Sequence, residues 1–386
     1  MMHNDMAHKS IPLRATLPVS SATVPLADLE QLYLETIAGQ RHGLGPAALR
    51  AALTVAELPY AGIMRLRNAL FDRGVKRAVD LRRWTISVGN LTAGGTGKTP
   101  VVRWLAQRLL AEQIVPAVLT RGYAGGATGA SDEADLLGRA IGPAGVVEVN
   151  ADRAAGANRA LAEHPHVQLF ILDDGFQHRR ARRDFDLVLI NAADPFGHGH
   201  VHPRGLLREP IGGLRRATAV LITHASRADN LDRTLATVRA ANPSVPIFRC
   251  DHVLTGLRSA NCPLSEPPDT PIAMLATQKF YATAGIGHPL SLQRQLEQYG
   301  DAFVGHTWWP DHHPYSEDEA AAIVARAQQR GATAIVTTEK DWSKLVWFGR
   351  VRESPVPFYR GDVGLAFEGD DETSLYRMIV DRFRAV

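Results

Sequence analysis

The sequence predicts an α/β fold, a doubly wound and mostly parallel sheet followed by a second, smaller α/β domain. Three observations predict it. A first run, Thr85 to Val88, reads as a strand, and short apolar runs recur at residues 115–119, 146–149, 167–172, 187–190 and 219–222 with helical patterns between them; that alternation is the mark of a parallel, doubly wound sheet. A glycine-dense turn separates the first run from its helix. Beyond a proline-rich stretch (Pro263, Pro267, Pro268, Pro271) the alternation resumes on a smaller scale.

Taken in order, residues 1–45 read as an N-terminal extension, polar and aperiodic at first, with a short helix at 29–38. Residues 46–250 read as the main domain. It opens with a helical pattern carried by Leu49, Leu53, Ala56, Tyr60, Ile63, Met64 and Leu70, interrupted at Pro59. Seven Lys/Arg against two Asp follow between Arg65 and Arg83. An apolar-faced helix beside such a run suits an anionic membrane surface, and a packed helix with a solvated basic face fits the pattern equally well. Residues 251–271 read as a linker, and residues 272–365 as the smaller domain, with strand character at 272–286, 302–307 and 334–338 and helices at 290–299 and 317–329. Residues 366–386 read as a C-terminal helix.

At 386 residues, 45% hydrophobic and 22% charged, the chain has the composition of a globular enzyme. A net charge of +3 is too mild to argue for nucleic acid. Cys250 and Cys262 form neither a disulfide framework nor a zinc-ligand set and suit a reducing compartment. The N-terminus has no apolar core of a secretory signal, and no window approaches eighteen uninterrupted apolar residues.

The chemistry begins at Thr85-Ile-Ser-Val-Gly-Asn-Leu-Thr-Ala-Gly-Gly-Thr-Gly-Lys-Thr-Pro100. Strand, glycine turn and helix in that order make a P-loop, and the fold is expected to be P-loop NTPase-like. Gly94, Gly95 and Gly97 remove the β-carbons that would hold a phosphate away from the backbone. Lys98 supplies a charge for the β/γ-phosphates and Thr99 a hydroxyl for Mg²⁺. The strict pattern asks for glycine at position 92, where this chain has Thr92.

Phosphate sites in such sheets lie at the carboxyl ends of the strands, so polar residues just past each run are the next candidates. Asp132 and Glu133 are candidates for a base or a metal partner, or simply cap the helix that follows. Asp173 and Asp174 end an apolar run in the manner of a Walker-B strand, where a carboxylate reaches Mg²⁺, and Gln177, His178 and four arginines follow. Arg208 and Glu209 lie in a proline-bounded loop that suits phosphate or metal contacts, or an ordinary surface turn. Asp311-His-His-Pro314 is loop-borne and polar, with catalysis, metal binding and a turn all open.

Together these motifs resemble the tetraacyldisaccharide 4'-kinase family of lipid A biosynthesis. The matching blocks are Ser87 to Pro100, Arg121-Gly-Tyr123, Asp132-Glu133, Leu172-Asp-Asp-Gly-Phe-Gln-His178, Leu207-Arg-Glu-Pro210, Ala284-Gly-Ile-Gly287, Pro310-Asp-His-His-Pro-Tyr315 and Thr338-Glu-Lys-Asp341, in the family's order over roughly residues 45 to 345. Thr92 is what the family carries at that position. The resemblance implies transfer of a phosphoryl group from ATP, with Mg²⁺, to the 4'-hydroxyl of an acylated glucosamine disaccharide 1-phosphate. It also implies a peripheral enzyme on the cytoplasmic face of the inner membrane, with no nucleic acid and no obligate protein partner. Thr92, Ala93, Gly94, Gly95, Thr96, Gly97, Lys98, Thr99, Gln177, His178 and Arg208 are expected to bind the nucleotide. Thr99, Asp174 and Glu209 are expected near the metal, with Asp173 at the transfer site. Asp132 is expected to take the hydroxyl proton, assisted by His312. The loop before Arg208 departs from the family, with His202-Pro-Arg-Gly-Leu-Leu207 where Pro-Ala-Gly-Pro-Leu is usual. A partition-type P-loop switch is the alternative; its extra lysine is Ala93 here, and no Asn-Lys-x-Asp guanine-reading motif occurs. A membrane-docking nucleotide scaffold is a third reading.

Overall fold

A computed structural model of the chain describes residues 26–122, 132–287, 289–311 and 313–385. Among the described residues, those up to 52 and those from 53 onward form two compact units. The first contains helix α1 (Leu26–Ile37) and the opening turns of α2 (Leu44–Asp72), with Arg50 donating to the Arg41 carbonyl.

The second unit holds one continuous sheet. Its elements in chain order are the remainder of α2, β1 (Trp84–Asn90), α3 (Lys98–Ala111), β2 (Pro116–Thr120), α4 (Asp132–Ile141), β3 (Val146–Val149), α5 (Arg153–Glu163), β4 (Leu169–Asp173), β5 (Phe185–Asn191), β6 (Ala219–Thr223), α6 (Leu231–Ala241) and β7 (Ile247–Arg258). Then follow β8 (Phe280–Gly285), α7 (Pro289–Glu297), β9 (Phe303–Trp309), α8 (Glu317–Gln329), β10 (Ala334–Thr338), α9 (Glu339–Leu345), α10 (Gly349–Arg352), β11 (Phe358–Phe367) and α11 (Asp371–Arg384). The strand order is β3-β2-β4-β1-β5-β6-β7-β11-β10-β8-β9. Every neighbouring pair is parallel except β7 with β11.

The central strands β1, β2, β4 and β6 are buried along their whole length. Strands covered on both faces read as near-continuous apolar runs, which is how β2, β4 and β6 were legible, while β1 buries Thr85 and Ser87 beside Ile86 and Val88. On one face Ile86, Val88, Ile171 and Leu187 pack with Val101, Val102, Leu105 and Leu109 of α3. The other face is filled by Phe176, Val188, Ile190, Val220 and Ile222 in one cluster and by Phe170, Leu172, Ala157 and Ala160 in another. Around β8 and β10, Ile323, Trp342 and Phe358 fill one layer and Phe280, Leu275 and Leu296 its counterpart.

Two expectations change. The stretch 251–271 is not all linker, because residues up to Arg258 complete β7, which pairs antiparallel with β11 and joins both halves into one sheet. A carboxylate cements that join: Asp362 of β11 accepts from Arg258 of β7 at 3.2 Å and from Arg103 of α3 at 3.2 Å. The second change is Pro59, which lies inside α2 without ending it. A proline removes one helical hydrogen bond and costs about 3 kcal/mol in isolation. Here the helix is held on both sides of it, since Leu53, Glu57, Tyr60, Ala61, Met64, Arg67 and Asn68 form a partly or fully buried stripe.

Candidate phosphate-transfer site

The Gly-rich turn leaves β1 at Asn90 and enters α3 at Lys98. Gly94 has φ 110° and Gly97 has φ 74°, left-handed conformations that glycine adopts without a steric penalty. A β-carbon on Gly94 or Gly95 would meet nothing within 4 Å, so their backbone faces open space. Gly97 is the opposite case, because a β-carbon there would lie 2.1 Å from Cε1 of His252. Thr92 is paired antiparallel with Leu207, the Ala93 amide donates to the Leu206 carbonyl at 2.7 Å, and Arg208 N donates to the Leu91 carbonyl at 2.7 Å. The start of the loop is therefore extended, strand-like backbone, where a β-branched threonine fits and a glycine is not needed. Thr96 is buried, with its carbonyl accepting from Thr223 Oγ1 at 3.0 Å. Its own hydroxyl has no hydrogen-bond partner among the described residues. Thr99 is half-buried one residue into α3.

Lys98 Nζ donates to Asn90 Oδ1 at 3.2 Å and stands 3.5 Å from Asp174 Oδ1. Arg208 Nη1 meets the other oxygen of Asp174 at 2.7 Å. Burial pushes the Asp174 carboxyl up, but Lys98 and then Arg208 outweigh it and leave it below the usual carboxylate range. Asp174 has φ 54°, a turn conformation that swings it away from the line of β4, while Asp173 stays in the strand. Asp173 is buried, accepts from Thr120 Oγ1 at 3.2 Å, and has its carbonyl held by Arg153 at 3.1 Å. The two adjacent carboxylates thus have different surroundings: Asp174 faces the loop's cation and Asp173 the neighbouring strand end.

Gln177 Nε2 donates to the Asn90 carbonyl at 2.8 Å and to Glu209 Oε1 at 3.0 Å. Glu209, only 1% exposed, also accepts from Asn68 Nδ2 at 2.7 Å and takes Arg216 Nη2 on both oxygens at 2.9 and 3.0 Å. Its expected place beside a metal therefore meets a carboxylate whose oxygens are already engaged by three side chains. His178 is held near 4, first by burial and then by Arg153, and is a neutral imidazole at neutral pH. The structure thus brings Lys98, Asp174, Arg208, Asp173, Gln177 and Glu209 to one edge of the sheet. Asp132 opens α4, but its side chain and all of His312 lie outside the described residues.

Sequence reasoning missed Asn90, Asn68, Arg153 and Arg216. Asn90 could have been found, since a polar residue closing an apolar strand just before a phosphate loop has a buried amide to satisfy. The other three come from distant positions and carry no local signal.

The residues present fit a nucleoside triphosphate and Mg²⁺. A glycine cradle opens to free space, a buried threonine hydroxyl is left over, and a lysine lies ready with a carboxylate within reach of it. The comparisons agree. The family model for tetraacyldisaccharide-1-P 4'-kinase matches residues 49–383. The tetraacyldisaccharide 4'-kinase of Geobacter metallireducens is 36% identical over 312 residues, 76% of this chain and 88% of that protein. That of Anaeromyxobacter dehalogenans strain 2CP-1 is 35% identical over 324 residues, 79% and 84% of the two chains. The crystal structure of LpxK from Aquifex aeolicus in complex with ATP aligns with a TM-score of 0.65 at 25% identity, over 87% of this chain and 99% of that one. From fold, loop geometry and sequence alike, this chain belongs to the tetraacyldisaccharide-1-P 4'-kinase family.

Proposed function

We propose that this chain is an ATP-dependent tetraacyldisaccharide 4'-kinase, which transfers the γ-phosphoryl group of ATP to the 4'-hydroxyl of tetraacyldisaccharide 1-phosphate in lipid A biosynthesis and forms the 1,4'-bisphosphate. The observation that carries this reading is the Lys98–Asp174–Arg208 cluster at the end of a loop whose Gly94 and Gly95 face open space.

In this reading the amides from Gly94 onward wrap the phosphates, that of Ala93 being held by the Leu206 carbonyl, and Lys98 leaves Asp174 to meet the β/γ oxygens. Arg208 supplies a second positive charge where negative charge accumulates. Thr99 and Asp174 are the groups that would hold Mg²⁺, which when bound neutralises the phosphoryl oxygens. Asp173 keeps the strand end in place through Thr120, and Glu209 anchors Gln177 beneath the loop. Asp132 accepts the acceptor hydroxyl's proton and His312 orients it; for such a step placement matters more than basicity.

The same reading places the enzyme at the cytoplasmic surface of the inner membrane. No helix among the described residues is long and apolar enough to cross a bilayer. The reading is supported by the outer face of α2, where Val55, Leu58, Ile63 and Leu66 are each at least 60% exposed, with Arg65, Arg73, Lys76 and Arg77 exposed beside or just beyond them. An apolar stripe rimmed by cations is the arrangement that rests on anionic lipid. Its inner face reaches the site directly, through Tyr60 Oη to the Arg208 carbonyl at 2.9 Å and Arg67 to the Gln177 carbonyl at 2.7 Å. A lipid-borne acceptor would thus arrive beside the phosphate loop.

Purified protein incubated with ATP, Mg²⁺ and tetraacyldisaccharide 1-phosphate is expected to yield the bisphosphorylated product. ATP hydrolysis that proceeds without acceptor, and no transfer when acceptor is added, would overturn the kinase reading in favour of a switch ATPase.

A further inference from the structure

The turn at Thr338-Glu-Lys-Asp341 recurs in the family pattern and has no part in the chemistry above, yet its side chains contact the end of β8, the loop after β9, strand β11 and helix α4. Asp341 is 0% exposed. A buried carboxylate is costly unless donors compensate it, and three do: Gly285 N at 3.0 Å, Tyr315 Oη at 3.0 Å and Thr338 Oγ1 at 2.6 Å. These donors stand at the carboxyl end of β8, in the loop after β9 and at the carboxyl end of β10. The strands β9, β8 and β10 are adjacent and parallel, and the edge beyond their carboxyl ends is where α/β sheets take ligands.

The rest of α9 grips the loop after β9 on either side of position 312. Lys340 Nζ donates to Asp311 Oδ1 at 2.6 Å, and Lys344 Nζ to the His313 carbonyl at 3.2 Å. His313 is further stacked on Trp309, with ring centroids 4.6 Å apart. In the other direction Glu339 takes both carboxylate bonds from Arg360 of β11, at 3.1 and 3.0 Å. It also lies 3.9 Å from Arg139 of α4, the helix that Asp132 opens. One short helix therefore holds positions 311, 313 and 315 of one loop and touches the helix behind Asp132.

We infer that α9 is a positioning element for proton transfer, with Lys340 and Asp341 setting the loop that carries His312 and Glu339 tying it to the helix of Asp132. The inference rests on the proposed Asp132–His312 pair. The physical reason for a buried carboxylate here is geometric: satisfying Asp341 requires Gly285, Tyr315 and Thr338 to be in place together, so the three strand-end loops keep one arrangement.

The test uses the full-length enzyme with ATP and the tetraacyl acceptor. Tyr315→Phe removes one donor to Asp341, and Lys340→Met removes the bond from Lys340 to Asp311; both keep an apolar side chain of similar size in place. Each is expected to lower kcat about 10-fold or more, as displacement of a reacting group does, with KM for ATP unchanged. In a His312→Ala background neither should lower kcat further, because both act through that residue. Losses that multiply with that of His312→Ala, or variants that turn over like the wild type while His312→Ala is impaired, would overturn the inference. Wild-type turnover by His312→Ala itself would overturn the proton-pair reading and this inference with it.

Discussion

Glu209 offers the sharpest test of the site's construction, because two roles predict opposite behaviour for one substitution. In Glu209→Gln one carboxylate oxygen becomes an amide donor. Oε1 now accepts from Gln177 and Arg216, and Oε2 from Asn68 and Arg216. Whichever way the new amide turns, an N–H group faces one amide donor and a guanidinium. The Arg216 side chain is 10% exposed and that of Glu209 1%, so water offers little relief. Removing one partner of a buried ion pair costs about 3–5 kcal/mol. Urea unfolding of the variant should show a loss of that size. Arg216→Leu should lose less in the Glu209→Gln background than in the wild type, as coupled neighbours do. The Mg²⁺ concentration for half-maximal transfer should barely move. A variant as stable as the wild type that needs much more Mg²⁺ would refute this reasoning and return Glu209 to the metal.

Other perturbations probe the loop and its neighbours. Gly97→Ala adds left-handed strain of about 1–2 kcal/mol and drives a methyl into His252. ATP affinity should fall, by isothermal titration, and His252→Ala should restore the part due to the clash; unchanged affinity in Gly97→Ala would contradict the packing. Asp174→Asn keeps a residue type that tolerates positive φ but removes the charge between Lys98 and Arg208. Transfer should drop about 100-fold or more, the melting temperature should also fall because Lys98 and Arg208 lose their shared carboxylate, and turnover near wild type would dissociate this pair from catalysis. His252 is held near 4 by burial, against an ordinary 6.5. The unfolded chain therefore takes up its proton first, so this contribution to stability is complete above pH 6.5 and is lost as pH falls towards 4. His252→Gln should make the urea midpoint less pH-dependent over that window, and an unaltered slope would count against a buried neutral imidazole. Leu58→Asp with Ile63→Asp should reduce flotation with anionic vesicles while sparing ATP binding; flotation equal to wild type would leave α2 as an ordinary packed helix.

How much was legible beforehand followed local chemistry closely. The strands around the phosphate loop stood out because both their faces are covered. The loop stood out because its glycines, Lys98 and Thr99 are contiguous. Strand β11 carried no such signal, since Arg360, Gly361, Asp362 and Gly364 interrupt it; its polar groups are satisfied only by partners far along the chain, Arg258 and Arg103 for Asp362 and Glu339 for Arg360. Pro59 misled for the same reason, because the contacts that hold α2 across it belong to residues more than a hundred positions away.

The sequence by itself determined the α/β class, the phosphate loop, the doubled aspartate and, through eight ordered motifs, the family. These depend on periodicity and on residues adjacent in the chain, which local sterics and burial impose directly. Only the tertiary structure decided that one sheet runs through both halves and that Asp174, not Asp173, faces Lys98. It also decided that Glu209 is enclosed by Arg216, Asn68 and Gln177, and that α9 braces the loop after β9. Each of those outcomes depends on which distant group satisfies a buried charge, and that is settled when the strands assemble rather than by any stretch of sequence alone.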